Sequence, residues 1–297
     1  MRRRAMIAAM RHEYCEVDVF ATTPFSGNPL AVIADADALS DQQMQAIANW
    51  TNLSETAFLL RPTAPEADYR VRIFTPHTEL PFAGHPTLGS ARAWLAFGGT
   101  PRQSGQITQE CAAGLITIRQ DASGGGPLFF ATPPLQKKGP LSEDELADSC
   151  RAIGVDTAAV ISHAWVDNGP GWRMVQLADA AAVRALGSFR PTTPHKLGVV
   201  GMAGQPGAHG DSNGAARDDS PAYVIRAFTP DHEDPVTGSL NGGAAQFLRS
   251  QGAVGAEYWV SQGTCRGRAG RVEIRDDGDD LWVGGRATVR IAGHVET

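Results

Sequence analysis

A stretch of this chain occurs twice. From residue 74 the sequence reads FTPHTELPFAGHPTLGSARAWL, and from residue 228 it reads FTPDHEDPVTGSLNGGAAQFL. Aligned without a gap, Phe74, Thr75, Pro76, Glu79, Pro81, Gly84, Gly89 and Ala91 fall on Phe228, Thr229, Pro230, Glu233, Pro235, Gly238, Gly243 and Ala245, a constant offset of 154 residues. A repeat of that length is too long for a solenoid period and points to duplication of a whole domain. The 297 residues leave room for two domains of ordinary size, each burying its own core.

Local signals place the repeated turn between a strand and a helix. Ahead of it, YRVRIF alternates, with Tyr69, Val71 and Ile73 on one face and Arg70 and Arg72 on the other. Behind it, TLGSARAWLAFGG reads as a helix ending at glycines, with Pro86 suited to the first helical position. The second copy repeats this order, from AYVIRAF to a helix beginning after Ser239. EYCEVDVF, LAVIAD and SETAFLL read as further strands, and LSDQQMQAIANW as a helix capped by Ser40 with Gln43 at the capping-box position. GLITIRQDASGGGPLFFATPP reads as a hairpin and PPLQKKGPLSEDE as a linker into a helix. Residues 203–221 are too polar and glycine-rich to pack and read as a loop. Strand signals outnumber helix signals without a regular strand–helix alternation, so two similar α+β domains are expected.

Composition narrows the function class. Apolar residues make up 42% and charged residues 20%, and no apolar run approaches the ~18 residues that span a bilayer, so no membrane role is expected. A formal charge of −6 with scattered arginines offers no nucleic acid a basic face, which leaves a small molecule as the expected partner. The cysteines, Cys15, Cys111, Cys150 and Cys265, are widely spaced without a CxxC pair. Neither a zinc site nor a disulfide scaffold is indicated, and a reducing cytoplasm is the expected compartment. The basic start MRRRAMIAAM lacks the apolar length of a signal peptide, and residues 1–12 read as a disordered extension.

A strand that turns through glycine into a helix aims unpaired N–H groups and the positive end of the helix dipole at whatever lies ahead. Two such turns related by a pseudo-twofold axis could hold one carboxylate between them, with Gly84 and Gly238 letting the backbone come close. The shared Glu79 and Glu233 read as braces of the turn. The differences between copies carry the candidate chemistry: Asp234 stands where the first copy has Leu80, and His85 where the second has Ser239. Taken alone, Ser239 reads equally well as a helix cap and His85 as a hydrogen-bonded turn residue. Glu55, in NLSETAFLL, is a third candidate, since a buried glutamate with a raised pKa suits a general base near neutral pH.

Together, DVFATTPFSGNPLAVI, NLSETAF, FTPHTELPFAGHPTLG and EDPVTGS resemble, in order, the motifs of the phenazine-biosynthesis PhzF-like family. The resemblance implies the diaminopimelate-epimerase fold, two pseudo-symmetric barrel-like domains each wrapped around a central helix. On this basis residues 13–130 form the N-terminal domain and 131–285 the C-terminal domain, with a last strand at about 286–297 returning to the first. It implies that Glu55 moves a proton as base and then acid, with Asp234 across the cleft as a second acid or electrostatic partner. Ser54, Gly84, His85, Gly238 and Ser239 would hold the substrate. No metal, pyridoxal or nicotinamide is implied, and a homodimer is expected. The epimerase and proline-racemase branches of the fold place a cysteine at each helix-start turn. Here the turns read PFAGHP and PVTGSL, which disfavours two-thiol racemisation. The expected activity is a cofactor-independent isomerase acting on a small cyclic or unsaturated carboxylate, similar to dihydro-hydroxyanthranilate isomerase. A racemase using Glu55 and Asp234 as opposed acids, and a carboxylate-binding protein without catalysis, stand as alternatives.

Overall fold

The computed structural model describes residues 10–120, 125–187, 195–204, 220–230 and 232–297. The first half runs β1 (Arg11–Val19), β2 (Asn28–Ile33), α1 (Asp41–Thr51), β3 (Thr56–Leu60), β4 (Tyr69–Phe74), β5 (Glu79–Leu80), α2 (Gly84–Ala96), β6 (Gln106–Cys111), β7 (Gly114–Gln120) and β8 (Leu128–Ala131). After β9 (Lys137–Gly139) and α3 (Glu143–Ile153), the second half runs β10 (Ser162–Asp167), β11 (Trp172–Leu177), α4 (Ala180–Ala185), β12 (Lys196–Met202), β13 (Tyr223–Phe228), β14 (Glu233–Asp234), α5 (Gly238–Ser250), β15 (Glu257–Gln262), β16 (Gly270–Asp276) and β17 (Leu281–Gly285), and the chain closes with β18 (Ala287–Glu296).

The duplication seen in one turn extends to the whole pairing scheme. In the first half β1 and β2 are antiparallel, β2 and β3 parallel, β3 and β4 antiparallel, β4 and β6 parallel, and β6, β7 and β8 antiparallel in turn. The second half repeats every step, from β10 and β11 through the parallel pairs β11–β12 and β13–β15 to β16 and β17. The parallel steps β2–β3 and β4–β6 follow connections that contain α1 and α2. The halves are stitched by β8 against β17, and β18 returns to pair with β1. Arg11 and His12, expected in a disordered extension, pair in β1 with Glu296 and Val295; residues 1–9 lie outside the described residues. Lys137–Gly139, expected in a linker, forms β9 against β10, and most of the expected 203–221 loop lies outside the described residues.

Each half wraps its strands around one helix, and the sequences of those helices show why they fit. Residues Gly84 through Ala91 of α2 are all buried, as expected for a helix inside a core rather than on a surface. Such a helix must be thin. A Cβ at Gly89 would lie 2.5 Å from Leu30 Cδ2, and one at Gly243 of α5 only 2.2 Å from the Val166 carbonyl oxygen. Each helical glycine costs about 1 kcal/mol against alanine, a cost offset here by close packing of strand on helix. One buried cluster runs through both halves, taking in Val17, Leu88, Phe130, Ile225 and Leu240. The outer helices are conventional. Ser40 accepts from Gln43 N while Gln43 Oε1 accepts from Ser40 N, and Ser142 with Glu145 does the same for α3.

Pro86 is the third residue of α2, because the helix begins at Gly84 with Ala83 as N-cap. α5 likewise begins at Gly238, so Ser239 is its second residue and Thr237 its N-cap. Proline is tolerated there since the first N–H groups of a helix lack intrahelical partners anyway.

The repeated glutamates brace the turns by one device used twice. Arg72 Nε and Nη2 donate to Glu79, each at 2.7 Å, and Arg226 Nε and Nη2 donate to Glu233 at 2.9 and 2.8 Å. The first pair is part-exposed, whereas the Arg226 and Glu233 side chains are 4% and 8% exposed and Arg226 also donates to the Leu186 carbonyl at 2.7 Å. Breaking a buried pair strands a charge; breaking an exposed one does not. Arg226→Ala should therefore lower unfolding free energy by about 3 kcal/mol, and Arg72→Ala by about 1 kcal/mol or less. Urea unfolding of both variants checks the difference, and equal losses would contradict it.

Candidate active site

The two central helices begin head to head. A Cβ at Gly84 would stand 3.0 Å from Gly238 Cα and 2.8 Å from Phe130 Cζ, and a Cβ at Gly238 would stand 3.0 Å from Gly84 Cα. The helix starts were expected to face one another across a cleft with a carboxylate between them; at the glycines they touch. Their free N–H groups and positive dipole ends converge on one small volume, and the glycine contact itself leaves no room for a carboxylate between the two backbones. Gly84→Ala should push the helix starts apart and destabilise the fold by about 1–3 kcal/mol, read as a lowered thermal midpoint; an unchanged midpoint would show the contact to be slack.

Three polar side chains from the first half and one from the second meet there. Glu55 sits in the bend just before β3, with half-buried Ser54 preceding it. Its side chain is 15% exposed, and Oε2 lies 3.5 Å from His85 Nε2. His85, the second residue of α2, is 4% exposed, and burial lowers its pKa to about 3. The ring is neutral in use, so this is a polar contact rather than an ion pair. Asn28 Nδ2 lies 3.3 Å from His85 Nδ1, while His85 Nε2 faces Glu55. The same Asn28 nitrogen donates to Asp234 Oδ1 and to the Val236 carbonyl, both at 2.9 Å. Asn28 thus ties the first half's histidine to the second half's acid.

Asp234 is held on both oxygens. Thr237 Oγ1 donates to Oδ2 at 2.8 Å, and Oδ1 takes Asn28 and, at 3.3 Å, Val236 N. Gln262 fixes the backbone around it, donating to the Asp234 carbonyl at 3.2 Å while its Oε1 accepts from Thr237 N at 3.1 Å and Asn241 Nδ2 at 2.8 Å. Ser239 Oγ accepts from Trp172 Nε1 at 2.9 Å. Glu55 Oε2 and His85 Nε2, in contrast, are buried atoms without a hydrogen bond. A carboxylate oxygen and a ring nitrogen left open in a buried site are what a ligand would complete.

The electrostatics follow from burial. Loss of water raises the Glu55 pKa to about 8, the negative charge of Asp234 adds to the rise, and Lys196 works against it. Asp234 is also raised by burial, opposed by its Thr237 hydrogen bond, the charges of His232 and Lys196, and Val236 N–H. Among the described residues no cluster of three or more His, Cys, Asp or Glu side chains could hold a metal ion.

Of the residues expected from sequence, Glu55, Gly84, His85, Asp234, Gly238 and Ser239 come together around the joined helix starts, with Ser54 beside Glu55. Asn28, Thr237, Gln262 and Lys196 were not anticipated. Asn28 stood in view in PFSGNP, where it reads as a turn residue; only the fold shows that the turn lies under α2. The cysteines are elsewhere: Cys15, Cys111 and Cys150 are buried in other elements, and Cys265 is exposed.

The sequence pattern of the family described as phenazine biosynthesis-like protein matches residues 17–294. The chain belongs to this PhzC-PhzF family. It is 33% identical over 302 residues to the antisense-enhancing sequence 1 protein of Schizosaccharomyces pombe, covering 95% of this chain and 98% of that one. It is also 33% identical over 277 residues to trans-2,3-dihydro-3-hydroxyanthranilate isomerase of Pseudomonas chlororaphis, covering 90% and 91%. A solved PhzF-family structure from Bacillus anthracis superposes with a TM-score of 0.76 at 22% identity, over 96% of this chain and 99% of that one. The fold is diaminopimelate-epimerase-like, and the chain is an isomerase of the PhzF family. No helix among the described residues is long and apolar enough to cross a membrane.

A group whose pKa is raised by folding stabilises the folded state at low pH and loses that contribution as the pH climbs through the folded value. For Glu55 the window runs from its ordinary 4.5 to about 8. Between pH 5 and 8.5 the protein should lose on the order of 2 kcal/mol more stability than the Glu55→Gln variant. Parallel urea titrations at the two pH values check this, and identical losses would remove the case for a buried, neutral Glu55.

Proposed function

We propose that this isomerase moves a proton between two carbons of a small cyclic or unsaturated carboxylate, with Glu55 acting as base and then as acid. The reaction type is that in the name of its relative from Pseudomonas chlororaphis, trans-2,3-dihydro-3-hydroxyanthranilate isomerase. One observation carries the reading: the two acids are bonded differently. Both oxygens of Asp234 are engaged by Asn28, Thr237 and Val236, whereas Glu55 Oε2 has no hydrogen bond and faces His85 Nε2. A proton carrier needs a free oxygen, and a fixed acid serves as a stabiliser and positioner. This favours one carboxylate working at two carbons over two opposed acids working at one.

The steps need only the chain's own groups. Ionised Glu55 takes a proton from the carbon next to the conjugated system, and the C–H electron pair spreads towards the substrate carboxylate. The helix-start N–H groups of Gly84, His85, Gly238 and Ser239 stabilise that charge. In the tautomer that carries its proton on Nε2, neutral His85 donates to the substrate or to Glu55, and protonated Glu55 then returns the proton to a different carbon. A pKa of about 8 makes Glu55 a stronger base than an exposed glutamate and a competent acid once protonated.

With trans-2,3-dihydro-3-hydroxyanthranilate as the probe, Glu55→Gln should lower turnover about 10³-fold, and kcat/KM should rise with pH and level off near pH 8. In deuterated water the label should enter a carbon other than the one that lost its proton. Full turnover by the variant, or label at the original carbon, would overturn the proposal.

A further inference from the structure

The strand registers identify a partner for Glu55 that the turn repeat does not reveal. Phe74 and Phe228 open the two copies of the repeat. Phe74 pairs with Thr56, and Phe228 pairs with Leu197. Thr56 and Leu197 are therefore equivalent positions, and so are the residues just before them, Glu55 and Lys196. The pseudo-twofold places a lysine opposite the acid.

Strand alternation fixes the side on which Lys196 lies. On β12, Leu197 and Val199 pack outward with Val183 of α4, while Val200 joins the core around α5 and a Cβ at Gly198 would touch Leu240 Cδ1 at 2.5 Å. Lys196 shares the inward parity of Gly198 and Val200. On β3, Ala57 and Leu59 face inward, and Glu55 has their parity. Both charged residues thus emerge at the mouth of their barrels, where the central helices begin.

The surroundings of Lys196 connect it to the site. Its Nζ lies 5.7 Å from the centre of the Trp172 ring, and Trp172 Nε1 donates to Ser239 Oγ at 2.9 Å. Glu55 stands by His85, the second residue of α2; Lys196 stands by Trp172 and, through it, by Ser239, the second residue of α5. Its charge reaches Glu55 and Asp234 strongly enough to oppose the burial that raises both. Among the described residues it has no ion-pair partner within 4.0 Å.

We infer that Lys196 is the counter-ion of the substrate carboxylate, holding it on the α5 side of the site so that the reacting carbons face Glu55. This rests on the reading that Glu55 moves the proton. The acid group is then received by the α5 N-terminus, Ser239 and the lysine ammonium together. As Glu55 removes the proton, the electron pair of the broken C–H bond delocalises into that carboxylate, beside a fixed positive charge. The charge collapses when Glu55 delivers the proton to the second carbon. A duplicated position has diverged into a base on one side and a cation on the other, which gives a near-symmetric site one orientation for its substrate.

The test is calorimetric titration of the full chain with anthranilate and with anthranilamide, which differ in the carboxylate charge. The wild type should prefer the acid by about tenfold or more. Lys196→Gln and Lys196→Met should lose that preference, and Lys196→Arg should retain most of it. Two neutral variants guard against a folding artefact, since an indirect effect would weaken acid and amide alike. Glu55→Gln should keep the preference. An unchanged preference in both neutral variants, or none in the wild type, overturns the assignment. If the preference depends on Lys196 while Glu55→Gln keeps full turnover, the counter-ion stands and the proton-transfer reading falls; the reverse pattern removes the counter-ion alone.

Discussion

Gly84 against Gly238 is the contact on which the rest of the site depends. Two helix N-termini meeting head to head bring like partial charges together, about +0.5 each. At an effective dielectric of 20 and a separation of about 5 Å the repulsion is on the order of 1 kcal/mol. It persists because the surrounding strands bury the first two turns of both helices and leave them no other place. The cost is also the use: the centre of the molecule becomes a fixed positive region lined with unpaired N–H groups. A side chain larger than hydrogen at either glycine would wedge the helices apart and scatter those donors.

The positive region has to hold negative charge without being neutralised by it. Asp234 and Glu55 divide that work through their hydrogen bonds. Asp234 is wired into the scaffold by Asn28, Thr237 and Val236, and Asn28 reaches across from the other half to do it. The same amide nitrogen lies 3.3 Å from His85 Nδ1. Its two N–H groups both go to the second half, to the Asp234 carboxylate and the Val236 carbonyl, so one residue at the start of β2 ties the two halves together. Glu55 is left with an oxygen free, and freedom from hydrogen bonds is what lets burial carry its pKa so far upward.

Much of this was legible in the sequence because the duplication was written in residues that geometry demands. Glycine at both helix starts, glutamate in both hairpins and proline in both turns survive where the backbone leaves no alternative, and they announce the two-domain plan and its meeting point. Asp234 stood out as a difference between the two copies, whereas Glu55 took its weight from motif resemblance, since nothing in NLSETAF itself says that the bend folds against α2. Asn28 stayed hidden because a Gly-Asn-Pro turn explains itself locally. Lys196 stayed hidden for a different reason: its equivalence to Glu55 is a matter of strand register, and the segments around β3 and β12 share no residues that would align them. The strand β9 was missed because KKG has neither the alternation nor the length of a strand and exists by pairing with β10. Helix starts were misread by two residues, since proline is as acceptable at the third helical position as at the first.

The equivalence of Glu55 and Lys196 bears on how a symmetric fold becomes a directional catalyst. A site with the same acid on both sides of the axis suits removal of a proton from one face and delivery to the other at one carbon. Replacing one acid with lysine removes the second carrier from that position and supplies a counter-ion instead. In the proposed reaction the remaining acid both takes and returns the proton, serving two carbons within its reach. Asp234 does not restore the symmetric arrangement, because its counterpart is Leu80 and its oxygens are committed to holding the turn. The pattern of opposed positions, acid against lysine, histidine against serine and leucine against aspartate, makes the site directional, and it is the ground for proposing a shift along the substrate over inversion at a point.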